Sequence, residues 1–332
     1  HQGVHPLQES EFAMTTTQIL VGIDGSAASL NAVRWAATEA GRRKASVAIV
    51  FCSNAISYGP WTTTPMVRTE LREAARPMVD EAMALVRGID PNVAVRGRVV
   101  LGSAPRVLLS MSATCGMVVL GRTGKGAVVS SVLGSVSRAV LAGAHCPVVT
   151  VTDDSVQQEP IRRILLGVTP EHPARAALDF AMAEAELRGV PLLAVHGWHV
   201  PILPYPREFG ESPVPSVEIA TAVKDVHNWL TDLIGAARAR SVQVTVRSGR
   251  PADVLAELSQ PGDLVVLGQH HAGPWHLARL GSLASELTRI LPNPLAVVGS
   301  AVAVPVSETE PVAARSTERP APAPSASGIL SY

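Results

Sequence analysis

The sequence is poor in cysteine, and its few cysteines form no recognisable metal or redox motif. Cys52, Cys115 and Cys146 are an odd, widely spaced set without a C-x-x-C pair. A disulfide framework or a cysteine-based zinc site is therefore not expected. Sparse cysteine usage of this kind is typical of a reducing compartment, so we predict a cytoplasmic protein.

Net charge and long apolar runs are lacking as well. The 28 Lys and Arg residues balance 28 Asp and Glu residues, so the chain has no overall basic field of the kind that attracts nucleic acid. No apolar run reaches the roughly 18 residues that a membrane-spanning helix needs. We therefore expect neither nucleic acid nor a membrane as a partner. The 332 residues suffice for two globular domains.

Catalytic signatures are also missing. The sequence contains no G-x-S-x-G elbow, no H-E-x-x-H and no kinase set, so we predict no catalytic residues. Histidines cluster after two apolar runs of the second half, at His196, His199, His270, His271 and His276. Their spacing fits no standard zinc site, and we predict neutral histidines and no metal ligands.

What the sequence does contain is a long internal repeat. The segment Ile19–Asp24 recurs as Ile164–Thr169, about 145 residues later. Val119–Gly121 recurs as Val266–Gly268, and Leu133–Ser135 recurs as Leu280–Ser282. We predict two domains, residues 14–153 and 161–300, joined by a linker at 154–160. Residues 1–13 resemble a cloning remnant, and the proline-rich residues 301–332 are predicted to form a disordered tail.

Each repeat alternates apolar strands with helical patterns. Strands are predicted at Gln18–Ile23, Ser46–Phe51, Val93–Val100, Met117–Leu120 and Val148–Val151, and again at Ile164–Val168, Pro191–Val195, Gln243–Arg247, Leu264–Leu267 and Leu295–Val298. Apolar residues at helical spacing, such as Val33, Ala36, Ala37 and Ala40, predict a helix after the first strand. Continuous apolar strands joined by helices predict an α/β fold of two tandem, doubly wound domains with five-stranded parallel sheets.

A glycine-rich segment follows the fourth predicted strand. Gly121-Arg122-Thr123-Gly124-Lys125-Gly126 is closed by Gly134-Ser135, near the start of a helix that is predicted at Ser131–Leu141. Glycine lets backbone N–H groups approach an anion, and a helix start favours negative charge. Arg122 and Lys125 are expected to add positive charge. The spacing of these glycines matches neither the Walker A motif nor the Rossmann motif. A glycine-rich turn with a solvated lysine is the alternative.

The spacing of Gly121, Gly124, Gly134 and Ser135 resembles the nucleotide-binding signature of the universal stress protein family, in tandem form. The resemblance implies an adenine nucleotide alpha hydrolase-like fold and ATP as the ligand, with or without Mg. It also implies that the fifth strands, Val148–Val151 and Leu295–Val298, pair antiparallel within the chain. A homodimer is compatible with it.

The resemblance further implies a set of site residues in the first repeat. Gly22 and Asp24 would meet the nucleoside, and Cys52 would lie beside adenine. The phosphates would be wrapped by the backbone of Gly121, Arg122, Thr123, Gly124, Lys125, Gly126 and Ala127, and held by Gly134, Ser135 and Val136. The residues alone leave two alternatives open: Asp24 can cap the first helix, and Cys52 can be a small apolar filler.

The second repeat keeps only part of this pattern. Gly167, Gly268, Gly281 and Ser282 are retained, but Thr169 stands in the place of Asp24 and His271 in the place of Gly124. We therefore predict that ATP binds in the first repeat. The predicted function is a nucleotide-dependent stress or signalling module. The alternatives are a slow ATPase or phosphotransferase, and a structural pseudo-dimer that binds a protein partner.

Overall fold

The computed structural model describes residues 17–53, 64–123, 133–152, 160–169, 174–198, 216–269 and 281–299. The predicted leading segment, the tail and all but one residue of the predicted linker lie outside the described residues. So do Gly124, Lys125, Gly126, Ala127 and His271. What the sequence predicts for these residues stays a prediction.

Strands and helices alternate through both repeats, as the apolar patterns predict. The first repeat contains β1 (Gln18–Ile23), α1 (Ala27–Arg43), β2 (Ser46–Ser53), α2 (Pro65–Ile89), β3 (Val95–Leu101), α3 (Ala104–Ser112), β4 (Met117–Gly121), α4 (Ser135–Gly143) and β5 (Val148–Val151). The second contains β6 (Arg163–Gly167), α5 (Arg175–Arg188), β7 (Leu192–Trp198), α6 (Ser216–Ala239), β8 (Val242–Ser248), α7 (Pro251–Leu258), β9 (Asp263–Gly268), α8 (Ser282–Ile290) and β10 (Leu295–Val298).

The strands form one sheet with the order β3-β2-β1-β4-β5-β10-β9-β6-β7-β8. Within each repeat all pairs are parallel, and the strand order reverses between β1 and β4, and between β6 and β9. The prediction of two doubly wound, five-stranded α/β units in tandem is confirmed. At the centre of the sheet, β5 and β10 run antiparallel, with Val149 opposite Ala296.

Helices cover both faces of the sheet, so two apolar layers form. One layer lies under α1, α2, α5 and α6, and the other under α3, α4, α7 and α8. The predicted stripe of α1 is fully buried, and its small side chains allow the helix to lie close to the strands. Ser26 is the N-cap of α1, because its Oγ accepts a hydrogen bond from the Ser29 N–H at 3.2 Å.

Several element boundaries differ from the predictions. The third strand begins at Val95 instead of Val93, and β7 extends to Trp198 instead of ending at Val195. The described part of α4 runs from Ser135 to Gly143, whereas the sequence predicts Ser131–Leu141. Two short helices, α3 and α7, were not predicted. Across the described ranges, no helix has both the length and the apolar character that crossing a bilayer requires.

Candidate functional site

A cavity of about 480 Å³ opens at the carboxyl ends of β1, β2 and β4. Ligands of open parallel sheets bind at such an edge, where the strand order reverses. The volume lies within the range of about 300–1,000 Å³ that is usual for small-molecule sites. The cavity brings together most of the described residues that the sequence predicts for the site: Gly22, Asp24, Cys52, Gly121, Thr123, Gly134, Ser135 and Val136.

Much of the cavity wall is apolar. Val50 lies on β2, Leu108 on α3 and Leu120 on β4, and Cys52 lies two residues after Val50 on β2. Burial raises the pKa of the Cys52 thiol to about 11, although the nearby Arg98 acts in the opposite direction. Cys52 is therefore a neutral, half-buried thiol at neutral pH. Such an apolar wall can pack against a flat aromatic ring.

Asp24 follows β1, which lies between β2 and β4 in the sheet. Its Oδ1 accepts a hydrogen bond from the Ser26 N–H at 2.9 Å, which stabilises the turn that leads into α1. Gly25 occupies the left-handed region in this turn, with φ of 75°. The N-cap of the helix is Ser26. Asp24 therefore stabilises the turn before the helix and does not cap the helix itself. The same carboxylate borders the cavity.

The polar end is formed by the start of α4. Its N-cap is Gly134, which has no side chain to cap the first-turn N–H groups. Ser135 and Val136 follow in the first turn and line the cavity. N–H groups of a first helical turn have no partner within the helix, and the helix dipole favours an anion beside them. This end of the cavity can therefore receive a negatively charged group.

Ser137 supports this end and was missed by the sequence analysis. Its Oγ donates a hydrogen bond to the Gly121 carbonyl at 2.8 Å, which joins the end of β4 to the start of α4. Ser137 is buried and also lines the cavity. The other missed lining residues are Ile23, Ser29, Val50, Ala104, Leu108, Leu120 and Leu133. Most of them are apolar, and an apolar residue in a strand or helix gives no local sign of facing a ligand.

A glycine is needed at position 121 for a close backbone contact that the sequence pattern did not reveal. A Cβ at this position would lie 2.6 Å from the Ala28 carbonyl carbon and 2.7 Å from its oxygen. The absence of a side chain therefore allows β4 to approach the backbone of α1. The expected role, access of an anion to the backbone, is not needed to explain this glycine.

The expectation that Arg122 adds positive charge beside a phosphate is wrong. Its side chain is 5% exposed and does not line the cavity. The guanidinium instead donates hydrogen bonds to the carbonyl oxygens of Leu291, and of Asn293 at 2.8 Å. Burial lowers the pKa of Arg122 to about 10, so the group is still a cation at neutral pH. Its charge lies at the end of α8, where the helix dipole favours a cation.

The second repeat places Gly167, Gly268, Gly281 and Ser282 at the corresponding strand and helix ends. The region beside them differs from the first repeat. Gly197, the counterpart of Cys52, is so close to α7 that a Cβ there would lie 2.6 Å from the Pro251 Cα. This contact brings the end of β7 against the start of α7.

Of the five clustered histidines, only His196 belongs to the described residues. It is 7% exposed, and its Nδ1 lies 3.0 Å from the Val168 carbonyl oxygen. In the part of the chain that the structure describes, no group of three or more His, Cys, Asp or Glu residues is placed to hold a metal ion.

The fold and the site define the class of protein. It contains two copies of a doubly wound α/β domain, and the first copy has a cavity where the strand order reverses. The profile of the universal stress protein family matches residues 15–152 and again residues 160–299. The chain therefore belongs to the universal stress protein family as a tandem member, and the predicted resemblance is confirmed.

Individual relatives agree with this assignment. A universal stress protein of Mycobacterium tuberculosis strain H37Rv is 31% identical over 293 residues, which cover 84% of this chain and 95% of that protein. One from Mycolicibacterium smegmatis is 31% identical over 291 residues, with coverages of 84% and 96%. The crystal structure of a universal stress protein from Archaeoglobus fulgidus DSM 4304 has a TM-score of 0.63 at 17% identity. It covers 86% of this chain and 99% of that chain, and it supports the fold alone.

Proposed function

We propose that the first repeat binds ATP and that the protein is a nucleotide-dependent stress or signalling module. The observation that carries the proposal is the composition of one cavity. Apolar side chains, the Asp24 carboxylate and the start of α4 all line it, and β1, which leads to Asp24, lies between β2 and β4 in the sheet. A nucleotide has the matching order of parts: a flat base, a ribose with hydroxyl donors, and anionic phosphates.

The proposed contacts follow from this order. Adenine would pack beside Cys52 and the apolar wall, and the ribose hydroxyls would donate to Asp24. The phosphates would accept hydrogen bonds from the N–H groups of Ser135 and Val136, and from the backbone of residues 121–127. Mg²⁺, where it accompanies ATP, would bind the phosphate oxygens and neutralise part of their charge.

Calorimetric titration of the full chain with ATP tests this proposal, after any copurified nucleotide has been removed. Asp24→Asn keeps an acceptor for the Ser26 N–H but removes the charge, so the turn into α1 should survive. Since a hydrogen bond to a charged group is worth about 1.5–3 kcal/mol, we expect ATP affinity to fall about tenfold.

Asp80→Asn is the matched control, because Asp80 lies on α2 in an exposed pair with Arg76. Its affinity should equal that of the wild type. Equal ATP affinity of the wild type and Asp24→Asn would show that the Asp24 carboxylate does not contact ATP. No binding heat in the wild type would contradict ATP binding altogether.

The same preparation separates the alternative functions. ATP that remains intact on the protein for hours supports a binding module, whereas steady release of ADP supports a slow ATPase or phosphotransferase. We also propose that the pairing of β5 with β10 holds the two repeats together in solution, because it covers two apolar strand edges. A homodimer stays a prediction, which the mass measured by light scattering tests.

A further inference from the structure

Arg122 closes the base of the glycine-rich loop with its main chain. Its N–H donates to the Val151 carbonyl oxygen at the end of β5, at 2.9 Å. Its own carbonyl accepts a hydrogen bond from the Gly134 N–H at the start of α4, at 3.0 Å. These two bonds fix the place where the chain leaves β4 and the place where it enters α4. The position of the Arg122 backbone therefore determines the geometry of the cavity's polar end.

The side chain of the same residue reaches the other repeat. The guanidinium binds the carbonyl oxygens of Leu291 and Asn293, which directly follow α8. A buried, charge-assisted hydrogen bond is stronger than a neutral one, and the carboxyl end of a helix favours a cation. Since Arg122 is 5% exposed, water does not weaken this contact. One residue thus connects the cavity of the first repeat to a helix end of the second.

The reciprocal contact in the second repeat is uncharged. Gln269 follows Gly268 as Arg122 follows Gly121, and its N–H donates to the Val298 carbonyl oxygen at 2.8 Å. Its side-chain Nε2 donates to the Ala142 carbonyl oxygen near the end of α4. The two crossed contacts flank the β5–β10 pair. Only the contact that starts beside the described cavity carries a charge.

We propose that Arg122 is a positioning residue that couples nucleotide binding in the first repeat to the docking of the second repeat. The inference rests on the proposed binding of ATP. Phosphates at the start of α4 would stabilise the hydrogen bond from the Gly134 N–H to the Arg122 carbonyl, and with it the backbone that carries the guanidinium on the end of α8. Coupling between two sites is reciprocal, so the docked second repeat raises the affinity for ATP by the same factor.

Hydrogen–deuterium exchange of the full chain, followed by mass spectrometry with and without ATP, tests the coupling. In the wild type, ATP should slow exchange in peptides that cover residues 121–134 and also in peptides that cover residues 287–295. In Arg122→Ala, we expect the dissociation constant for ATP to rise about tenfold. At saturating ATP, this variant should keep the protection of residues 121–134 and lose the protection of residues 287–295.

Two further variants separate coupling from a general loss of structure. Arg122→Lys keeps a cation that can donate to the same carbonyls, so it should recover most of the remote protection. Arg76→Ala removes an arginine from an exposed pair on α2 and should behave as the wild type. If Arg122→Ala does not fold, the inference is tested by the ATP-dependent protection of residues 287–295 in the wild type and in Arg122→Lys.

The outcomes are distinct. Wild-type protein that binds ATP without any protection of residues 287–295 would overturn the inference and leave the proposed function intact. If Arg122→Ala binds ATP with wild-type affinity and still protects residues 287–295, the inference is also overturned and the proposed function is again left intact. A wild type that binds no ATP would overturn the proposed function, and the inference with it.

Discussion

At the scale of single residues, Cys52 can report directly on the cavity. Its thiol lies on the cavity wall, and burial raises its pKa to about 11 in spite of Arg98. The thiolate is the form that reacts with alkylating reagents. At pH 8, a pKa of about 11 leaves about one thiol in a thousand ionised. The reactivity of Cys52 is therefore limited by its ionisation as well as by access.

We expect alkylation of Cys52 by iodoacetamide to be slow at pH 8 and to accelerate about tenfold for each pH unit up to pH 10. Saturating ATP should protect the thiol at every pH, because adenine would cover it. The labelled peptide is identified by mass spectrometry, and Cys52→Ser is the control without a thiol at this place. A rate that is independent of pH would contradict the raised pKa, and labelling that ATP does not slow would place adenine elsewhere.

The residues of the cavity differ in how far the sequence could predict them. Gly22, Asp24 and Cys52 were predictable, because the carboxyl ends of parallel strands meet at one edge of a sheet. The direction of the Arg122 side chain was not predictable. It is determined by carbonyl groups at Leu291 and Asn293, which belong to the other repeat. Ser137 gave no signal because a hydroxyl inside a helix is common and has many local partners.

At the scale of helices, α1 and α5 are joined by ion pairs around two buried carboxylates, and Arg42 of α1 also pairs with Glu39, at 2.9 Å. Arg188 donates to Glu39 at 2.5 Å and also to Glu184. Arg43 likewise donates to Glu39 and to Glu184. Both carboxylates are 1% exposed. Glu39 and Arg43 in α1 occupy the same repeat positions as Glu184 and Arg188 in α5, so each repeat contributes one acid and one base at matching positions.

Burial would raise the pKa of Glu39, but the charges of Arg43 and Arg188 outweigh burial and hold the pKa below its usual value. A depressed carboxyl pKa stabilises the fold above the usual value, and this contribution is lost as the pH falls through the lower, folded value. Glu39 should thus contribute its full stabilisation at neutral pH and lose it only in acid.

Glu39→Gln removes one carboxylate and leaves three arginines, Arg42, Arg43 and Arg188, with less negative charge beside them. Breaking a buried ion pair on one side typically costs about 3–5 kcal/mol, so we expect a loss of that size in the free energy of unfolding at pH 7. Urea unfolding measures it, and Glu73→Gln on the exposed side of α2 is the control. The difference between wild type and Glu39→Gln should shrink in acid. A difference that is below 1 kcal/mol, or constant with pH, would show that these ion pairs contribute little.

The boundaries of strands and helices show where sequence patterns suffice. The strands β1 and β5 were predicted to the residue, because a strand buried on both faces is nearly continuous in apolar residues. The helices α3 and α7 have 9 and 8 residues, and neither is long enough to show a clear helical period. Both have a proline in their first turn, which is a start signal that the apolar pattern did not include.

At the scale of the whole molecule, the two repeats share one sheet but not one chemistry. Thr169 stands where the first repeat has Asp24, and Gly197 packs against Pro251 where the first repeat has Cys52 on its cavity wall. The strands β5 and β10 pair antiparallel, so each covers the edge of the other.

This asymmetry predicts one tight ATP site per chain. At pH 8 a histidine at position 271 is mostly neutral, so it would offer bulk without the charge that attracts phosphate. Calorimetry at pH 8 should therefore give a stoichiometry near one. The double variant Thr169→Asp, His271→Gly restores the carboxylate and the glycine, and its stoichiometry should rise towards two. Asp24→Thr is the matched control and should weaken the tight site by about tenfold or more. Two equivalent tight sites in the wild type would show that both substitutions are tolerated and that the two repeats share one function.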